Sequence, residues 1–257
     1  MKDIAIFGST GSIGESTLNV IRQNNDLFNV KLLIAGNNLE KLIEQIEEFN
    51  PNYVYIKSKE NADILKNYIK NITIFYGKQG LQDITSITDY DIAVSSLVGI
   101  AGLQPTYNAI KNGKQIALAN KEVLVTGGNI IIDAAKIYNA KLLTVDSEHS
   151  AIMQCLNGEE NNKIDKILLT CSGGPFFDKE ITNNITAQDA LQHPTWTMGA
   201  KISIDSATLM NKGFEVIEAK YLFNVSENDI EVVIHRQSII HSMVQFEDGT
   251  IMASLRT

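Results

Sequence analysis

Asp3-Ile4-Ala5-Ile6-Phe7 runs directly into Gly8-Ser9-Thr10-Gly11-Ser12-Ile13-Gly14, and a helical pattern follows with Ile13, Thr17, Leu18 and Ile21 on one face. Strand, glycine loop and helix form the context in which a dinucleotide fingerprint carries weight. The spacing is G-x-x-G-x-x-G rather than G-x-G-x-x-G. The physics is the same, because glycine lets backbone amides approach a pyrophosphate at a helix N-terminus. An ordinary Gly/Ser turn uses the same letters. Apolar runs then alternate with helical patterns: strands at 30–35, 53–56, 72–75, 91–94 and 115–119, helices at 39–49, 61–69 and 103–111. That alternation predicts a parallel sheet covered by helices.

Composition sets the outer bounds. The 257 residues suffice for one large or two modest domains, with 44% hydrophobic and 20% charged residues, as in an ordinary globular protein. A formal net charge of −8 argues against nucleic acid and anionic membrane as partners. No apolar run reaches membrane-spanning length, and a strand beginning at residue 3 leaves no room for a signal peptide. Cys155 and Cys171 form neither a CxxC nor a disulfide framework, which points to a reducing, cytoplasmic setting.

The second strand ends in Gly36-Asn37-Asn38 with no acid at its tip. NAD-binding folds usually place Asp or Glu there for the ribose 2′-hydroxyl, so its absence favours NADP. Asn120-Lys121-Glu122 stands at the carboxyl end of a later strand. Lys121 is therefore aimed at the nucleotide crevice, or else begins a helix and pairs with Glu122. Asp146 and Glu148 follow the β-like run 140–145. In an extended segment they point the same way, and two carboxylates side by side need a cation or proton between them. Mg²⁺ or Mn²⁺ is the natural occupant; an N-cap acid with a solvated neighbour is the other reading.

Further along, Ser172-Gly173-Gly174-Pro175 offers amides and a hydroxyl to an anion. Trp196 sits in a Gly/Pro-punctuated polar segment, as a lid over a substrate or as a core anchor. Residues 202–206 alternate. A helix from Thr208 onward carries Asn211, Lys212 and Glu215 within about one turn, with Asn211 and Glu215 on one face. Lysine, asparagine and a serine suit a phosphate, and Glu215 would complete a three-acid metal site with Asp146 and Glu148. A solvated amphipathic helix would account for the same residues, and for Glu218 and Lys220. At the end, 232–235 and 239–246 read as strands, with Glu247-Asp248-Gly249-Thr250 as a hairpin turn before 251–255.

Eight segments in order resemble the 1-deoxy-D-xylulose 5-phosphate reductoisomerase family: 8–14, 118–122, 145–149, 172–176, 193–196, 204–208, 211–215 and 237–241. The resemblance implies an α/β chain: a Rossmann-like NADP-binding domain at 1–145, then an α+β catalytic and dimerisation domain at 146–257. It implies NADPH- and metal-dependent (Mg²⁺, Mn²⁺ or Co²⁺) rearrangement and reduction of 1-deoxy-D-xylulose 5-phosphate to 2-C-methyl-D-erythritol 4-phosphate in isoprenoid biosynthesis. It puts the metal on Asp146, Glu148 and Glu215, and the substrate phosphate on Ser172, Ser206, Asn211 and Lys212. Ser147, Lys121 and His193 touch or close over the carbon skeleton, and Trp196 and Met198 ride on a lid. The cofactor falls to Thr10, Gly11, Ser12, Ile13, Gly36, Asn37, Asn38, Asn120, Glu122 and Gly199. Asn37 stands where the family usually has a basic residue. A homodimer is implied, built here on the hairpin with Val244 and Phe246 in the interface. With the chain ending at Thr257, the family's C-terminal helical domain is expected to be absent. Two other readings are a catalytically silent nucleotide-binding fragment and a different NADP-dependent dehydrogenase using a cysteine.

Overall fold

In a computed structural model describing residues 1–179, 182, 184–194 and 198–255, the chain divides into two units, Met1–Leu143 and Thr144–Thr257. The first alternates strand and helix: β1 (Lys2–Phe7), α1 (Ser12–Gln23), β2 (Phe28–Ile34), α2 (Leu39–Phe49), β3 (Tyr53–Ile56), α3 (Lys59–Tyr68), β4 (Thr73–Tyr76), α4 (Gly77–Thr85), β5 (Ile92–Ser95), α5 (Leu103–Lys111), β6 (Gln115–Leu118), α6 (Glu122–Ile137) and β7 (Leu142–Thr144). Helices α4 and α6 have no counterpart among the helices read from the periodicity. The sheet order is β4-β3-β2-β1-β5-β6-β7. Consecutive strands step outward on one side of β1 and then, from β5, on the other. Ligands of open α/β sheets bind at that reversal.

Hydrophobic burial explains the layering. Strand residues Ile4, Ile6, Val30, Leu33, Val54 and Ile56 pack with helix residues Leu18, Ile21, Leu42, Ile46 and Leu65 in one cluster. The glycine loop lies at the reversal. Gly8 has φ +100°, and a Cβ there would lie 2.7 Å from the Ser96 carbonyl oxygen beyond β5. Only glycine combines that backbone with that approach.

The second unit is α+β: α7 (Ser147–Cys155), β8 (Ile164–Cys171), α8 (Ala187–Leu191), α9 (Ala200–Ala207), α10 (Met210–Phe223), β9 (Ile230–Ile234), β10 (Ile240–Phe246) and β11 (Ile251–Leu255). Its sheet runs β11-β10-β8-β9, with β9 parallel to β8 and the β10–β11 hairpin antiparallel. Ile152, Cys155, Ile167, Leu169, Ala219, Val244 and Phe246 form its core. Val244 and Phe246 are thus inward-facing, at 0% and 1% exposure. This corrects their placement in an interface: they fill the space against α7 and α10, and the opposite face carries Met243, Ile251 and Leu255.

Two local expectations also change. The alternating stretch 202–206 is helical, as α9, capped at Gly199 and braced by an i,i+4 Lys201–Asp205 pair at 2.7 Å. The helix expected from Thr208 is interrupted: Leu209 takes φ +61° and α10 restarts at Met210. No helix among the described residues is long and apolar enough to cross a membrane.

Replacing Gly8 with alanine forces either the backbone or β5 to move. Gly8→Ala is expected to lower unfolding free energy by about 2 kcal/mol or more, read as a lower urea midpoint; an unchanged midpoint would contradict the close-approach account.

Candidate active site

The carboxylates of the second unit converge by a turn, not by the extended strand expected of them. Asp146 is the N-cap residue of α7 (φ −57°, ψ 131°), and its side chain makes no capping bond; Glu148 lies in the first helical turn. From α10, Glu215 comes to meet them. Ligand oxygens of Asp146, Glu148 and Glu215 all lie within 4.8 Å of one another. The set is all oxygen, and Glu215 is 1% exposed. Three carboxylates against one nearby ammonium leave a net negative site, which fits a hard divalent cation.

That ammonium is Lys212, itself buried. Its Nζ donates to the Thr170 carbonyl at 2.6 Å and to Glu148 Oε1 at 3.0 Å, and pairs with Glu215 Oε2. Burial is the largest single influence and would raise the Glu148 carboxyl, but the charge of Lys212 together with the hydrogen bonds from Ser147 and Lys212 holds the group below its ordinary value. Burial likewise opposes the Lys212 charge, yet Glu215 and Glu148 raise it. Asn211 donates to Glu215 Oε1 at 2.5 Å across one helical turn, and Ser147 donates to Glu148 Oε2 at 2.7 Å.

These groups line a cavity of about 220 Å³ together with Ser172, His193, Met198 and Ser206. Gly174, with φ +70°, allows the Ser172 loop to lie against the end of α9, since a Cβ there would meet the Ser206 carbonyl oxygen at 2.7 Å. Ser172 Oγ and His193 Nε2 are 3.1 Å apart, and burial lowers the His193 imidazole below its ordinary value, favouring the neutral ring. Trp196 lies outside the described residues.

Sequence patterns missed three participants. His149 and Glu218 are both fully buried, so Glu218 is not on a solvated helix face. His149 Nε2 lies 2.9 Å from the Glu215 carbonyl oxygen, and its Nδ1 faces Glu218 at 3.6 Å and Asp146 at 3.7 Å. Burial would push the ring down, but Asp146 and the charges of Glu218 and Glu215 raise it to about 9. A doubly protonated ring is a donor and not a metal ligand. The i,i+3 spacing of Glu215 and Glu218 was the available signal. His241 is the third, with Nε2 3.7 Å from Glu148 Oε2.

The remaining expected residues belong to the first unit, apart from Gly199, which caps α9. Thr10 lies in the β1–α1 turn, Gly11 is the N-cap of α1, and Ser12 and Ile13 are its first residues. Gly36 to Asn38 follow β2, and Asn38 caps α2 by accepting from the Lys41 amide at 3.1 Å. Lys41 itself pairs with Glu15 at 3.0 Å. Lys121 is the N-cap residue of α6 and Glu122 its first helical residue. Asn120 is buried and donates to the carbonyls of Leu97 and Gly99. Burial raises the Cys171 thiol, so it is not the activated thiolate that a cysteine-dependent dehydrogenase needs.

Two family models match the chain: one described as 1-deoxy-D-xylulose 5-phosphate reductoisomerase over residues 4–128, and one as the C-terminal domain of that enzyme over residues 142–223. The second match corrects the expectation that the C-terminal domain is absent. That expectation looked for helices after β11, whereas the matched domain lies before it and contains α7, β8, α9 and α10. The 1-deoxy-D-xylulose 5-phosphate reductoisomerase of Thermoanaerobacter sp. (strain X514) is 54% identical over 260 residues, covering 100% of this chain and 68% of the relative. A crystal structure of DOX-P reductoisomerase in complex with NADPH, fosmidomycin and magnesium is 41% identical with a TM-score of 0.92, covering 99% of this chain and 66% of that one. The enzyme from Zymomonas mobilis in complex with NADPH is 38% identical with a TM-score of 0.91, covering 100% and 67%. The chain spans about two thirds of the length of these proteins.

His149 gives the site a pH signature. Its value in the fold lies above the ordinary 6.5, so its contribution to stability is complete below that pH and is lost as pH rises through about 9. In the presence of a chelator, Tm is expected to fall between pH 7 and 9, and His149→Gln to flatten that slope. Parallel melting curves for the two proteins would contradict the assignment.

Proposed function

This chain belongs to the 1-deoxy-D-xylulose 5-phosphate reductoisomerase family, and on that premise we propose that it converts 1-deoxy-D-xylulose 5-phosphate to 2-C-methyl-D-erythritol 4-phosphate in isoprenoid biosynthesis, using NADPH and a divalent metal ion. The observation that carries this reading is the convergence of three acids from α7 and α10 beside a buried lysine, in a cavity edged by serines and an asparagine.

Asp146, Glu148 and Glu215 would hold the cation. When bound, the cation supplies Lewis-acid polarisation of the substrate's carbonyl and neighbouring hydroxyl, and NADPH supplies the hydride. With the acids committed to a cation, Lys212 keeps the Thr170 carbonyl as its anchor and has two N–H donors left for the substrate phosphate. Asn211, Ser172 and Ser206 complete that phosphate site. Binding energy spent there orients the reacting carbons. His193 and Ser147 contact the carbon skeleton, as does Lys121, and Trp196 and Met198 belong to the closing segment. Thr10 to Ile13, Gly36 to Asn38, Asn120, Glu122 and Gly199 bind the cofactor. Asn37 weakens the preference for NADPH over NADH. In this reading the first unit is the NADP-binding domain and the second the catalytic and dimerisation domain, and the protein works in the cytoplasm, where Cys155 and Cys171 stay reduced.

Dimerisation is read from the sheet of the second unit. Met243, Ile251 and Leu255 share its outward face, with Ile251 52% and Leu255 66% exposed, and a second copy in two-fold relation would cover them. Sedimentation is expected to give a dimer at micromolar concentration, and Ile251→Lys with Leu255→Lys a monomer. A wild-type monomer would sink this part.

NADPH oxidation on addition of 1-deoxy-D-xylulose 5-phosphate and Mn²⁺ is the direct test. Glu148→Gln should abolish turnover and weaken Mn²⁺ binding by about 10–100-fold, with NADPH binding little changed. Nucleotide binding without metal-dependent turnover in the wild-type chain would overturn the function, and normal Mn²⁺ dependence in the variant would overturn the ligand set.

A further inference from the structure

Ser242 has a positive φ of 80° and is fully buried. It occupies a bulge in β10. Between the pairs Ile240–Leu255 and Met243–Ala253, β10 carries two residues, His241 and Ser242, against the single Ser254 of β11. On its other side, the pairing of β10 with β8 runs from Phe246 to Met243 and stops there. Glycine is the usual tenant of a left-handed bulge position, and a serine there is strained. Strain at a buried polar residue beside a site motivates a search for its role.

The hydroxyl shows what the serine does. Ser242 Oγ accepts from the Thr170 N–H at 3.2 Å, and the Thr170 hydroxyl donates to the Ile240 carbonyl at 3.2 Å. Side-chain bonds thus replace the missing rungs of the ladder. The N–H and C=O of one strand residue point to the same side. The Thr170 carbonyl therefore faces the gap opened by the bulge, and Lys212 Nζ fills it at 2.6 Å. The same irregularity carries His241 to within 3.7 Å of Glu148.

We propose that Ser242 is a positioning residue for the reaction: its strained backbone opens the sheet at Thr170, and its hydroxyl fixes that peptide so that the Thr170 carbonyl anchors Lys212 against the substrate phosphate. The inference rests on the phosphate role given to Lys212 above. A glycine would satisfy the backbone but leave the Thr170 N–H buried and without its acceptor. Ser242 touches no substrate atom. It acts through Thr170 and Lys212, so its loss should register in ketose phosphate binding and not in cofactor binding.

Ser242→Ala keeps the strain and removes the hydroxyl, whereas Ser242→Gly removes both. Three measurements are made on each, beside the wild-type chain: steady-state kinetics with NADPH and Mn²⁺, calorimetric binding of 1-deoxy-D-xylulose 5-phosphate with Mn²⁺ but no NADPH, and Tm. Both variants are expected to raise KM and Kd for the ketose phosphate by about tenfold, the scale of one unmade buried hydrogen bond, with KM for NADPH unmoved and kcat changed less. Ser242→Gly should melt no lower than Ser242→Ala, and if the alanine variant does not fold, the glycine variant decides. A folded Ser242→Gly with wild-type Kd for the ketose phosphate overturns the inference while the function stands. Equal rises in the KM of both substrates, tracking a fall in Tm, would reduce Ser242 to a structural role and also overturn it. Absence of wild-type turnover sinks the function and this inference together.

Discussion

A single buried ammonium organises the catalytic unit. Lys212 is 5% exposed and joins three elements: β8 through the Thr170 carbonyl, α7 through Glu148 and its own helix α10 through Glu215. Opposite charges 3 Å apart at an effective dielectric constant near 20 attract by about 5 kcal/mol. Removing each ion from water costs several kcal/mol, so the net contribution to stability is small. What the arrangement supplies is specificity of position. Without the lysine the acids would repel, and without the acids a buried ammonium would have no counter-charge.

The backbone around this cluster departs from regular geometry where the cluster requires it. Asp146 ends its strand in a turn that lets Glu148 approach from the first turn of α7. Leu209, left-handed, breaks the path from α9 and restarts the chain as α10, the helix whose inner face carries Lys212, Glu215 and Glu218. Gly174 brings the Ser172 loop against the end of α9, and the bulge at Ser242 exposes a strand carbonyl. His149 ties the two acid-bearing helices together, meeting the Glu215 carbonyl with one nitrogen and facing Glu218 and Asp146 with the other. Protein groups beyond the ligands commonly orient a metal site in this way.

Much of the fold was legible because its signals are local. A five-residue apolar run, a glycine loop and a 3.6-residue apolar period announce β1, the turn and α1 from neighbouring residues alone. The same periodicity places Asn211 and Glu215 on one helical face, and they do hydrogen-bond. The hidden parts lack such a signal. Glu218 is an acid on an amphipathic helix, a pattern that normally means solvent, yet it is completely buried because His149 meets it from another helix. The alternation at 202–206 suits a strand, but no strand among the described residues pairs with it, and an i,i+4 ion pair and the Gly199 cap settle it as helix.

The sequence by itself determined the strand–helix alternation that follows the glycine loop, the terminal hairpin, and the residue types available for a metal and a phosphate. These follow from short-range periodicity and from what each side chain can donate or accept. Tertiary structure decided which face of the terminal hairpin is buried, since a strand has two faces and only packing against α7 and α10 turns Val244 and Phe246 inward. It also decided which charges are neighbours. Glu148 and Lys212 are 64 residues apart and Thr170 and Ser242 are 72 apart. No local pattern constrains such distances, and they are fixed only when the sheet and its two covering helices close around the same buried ammonium.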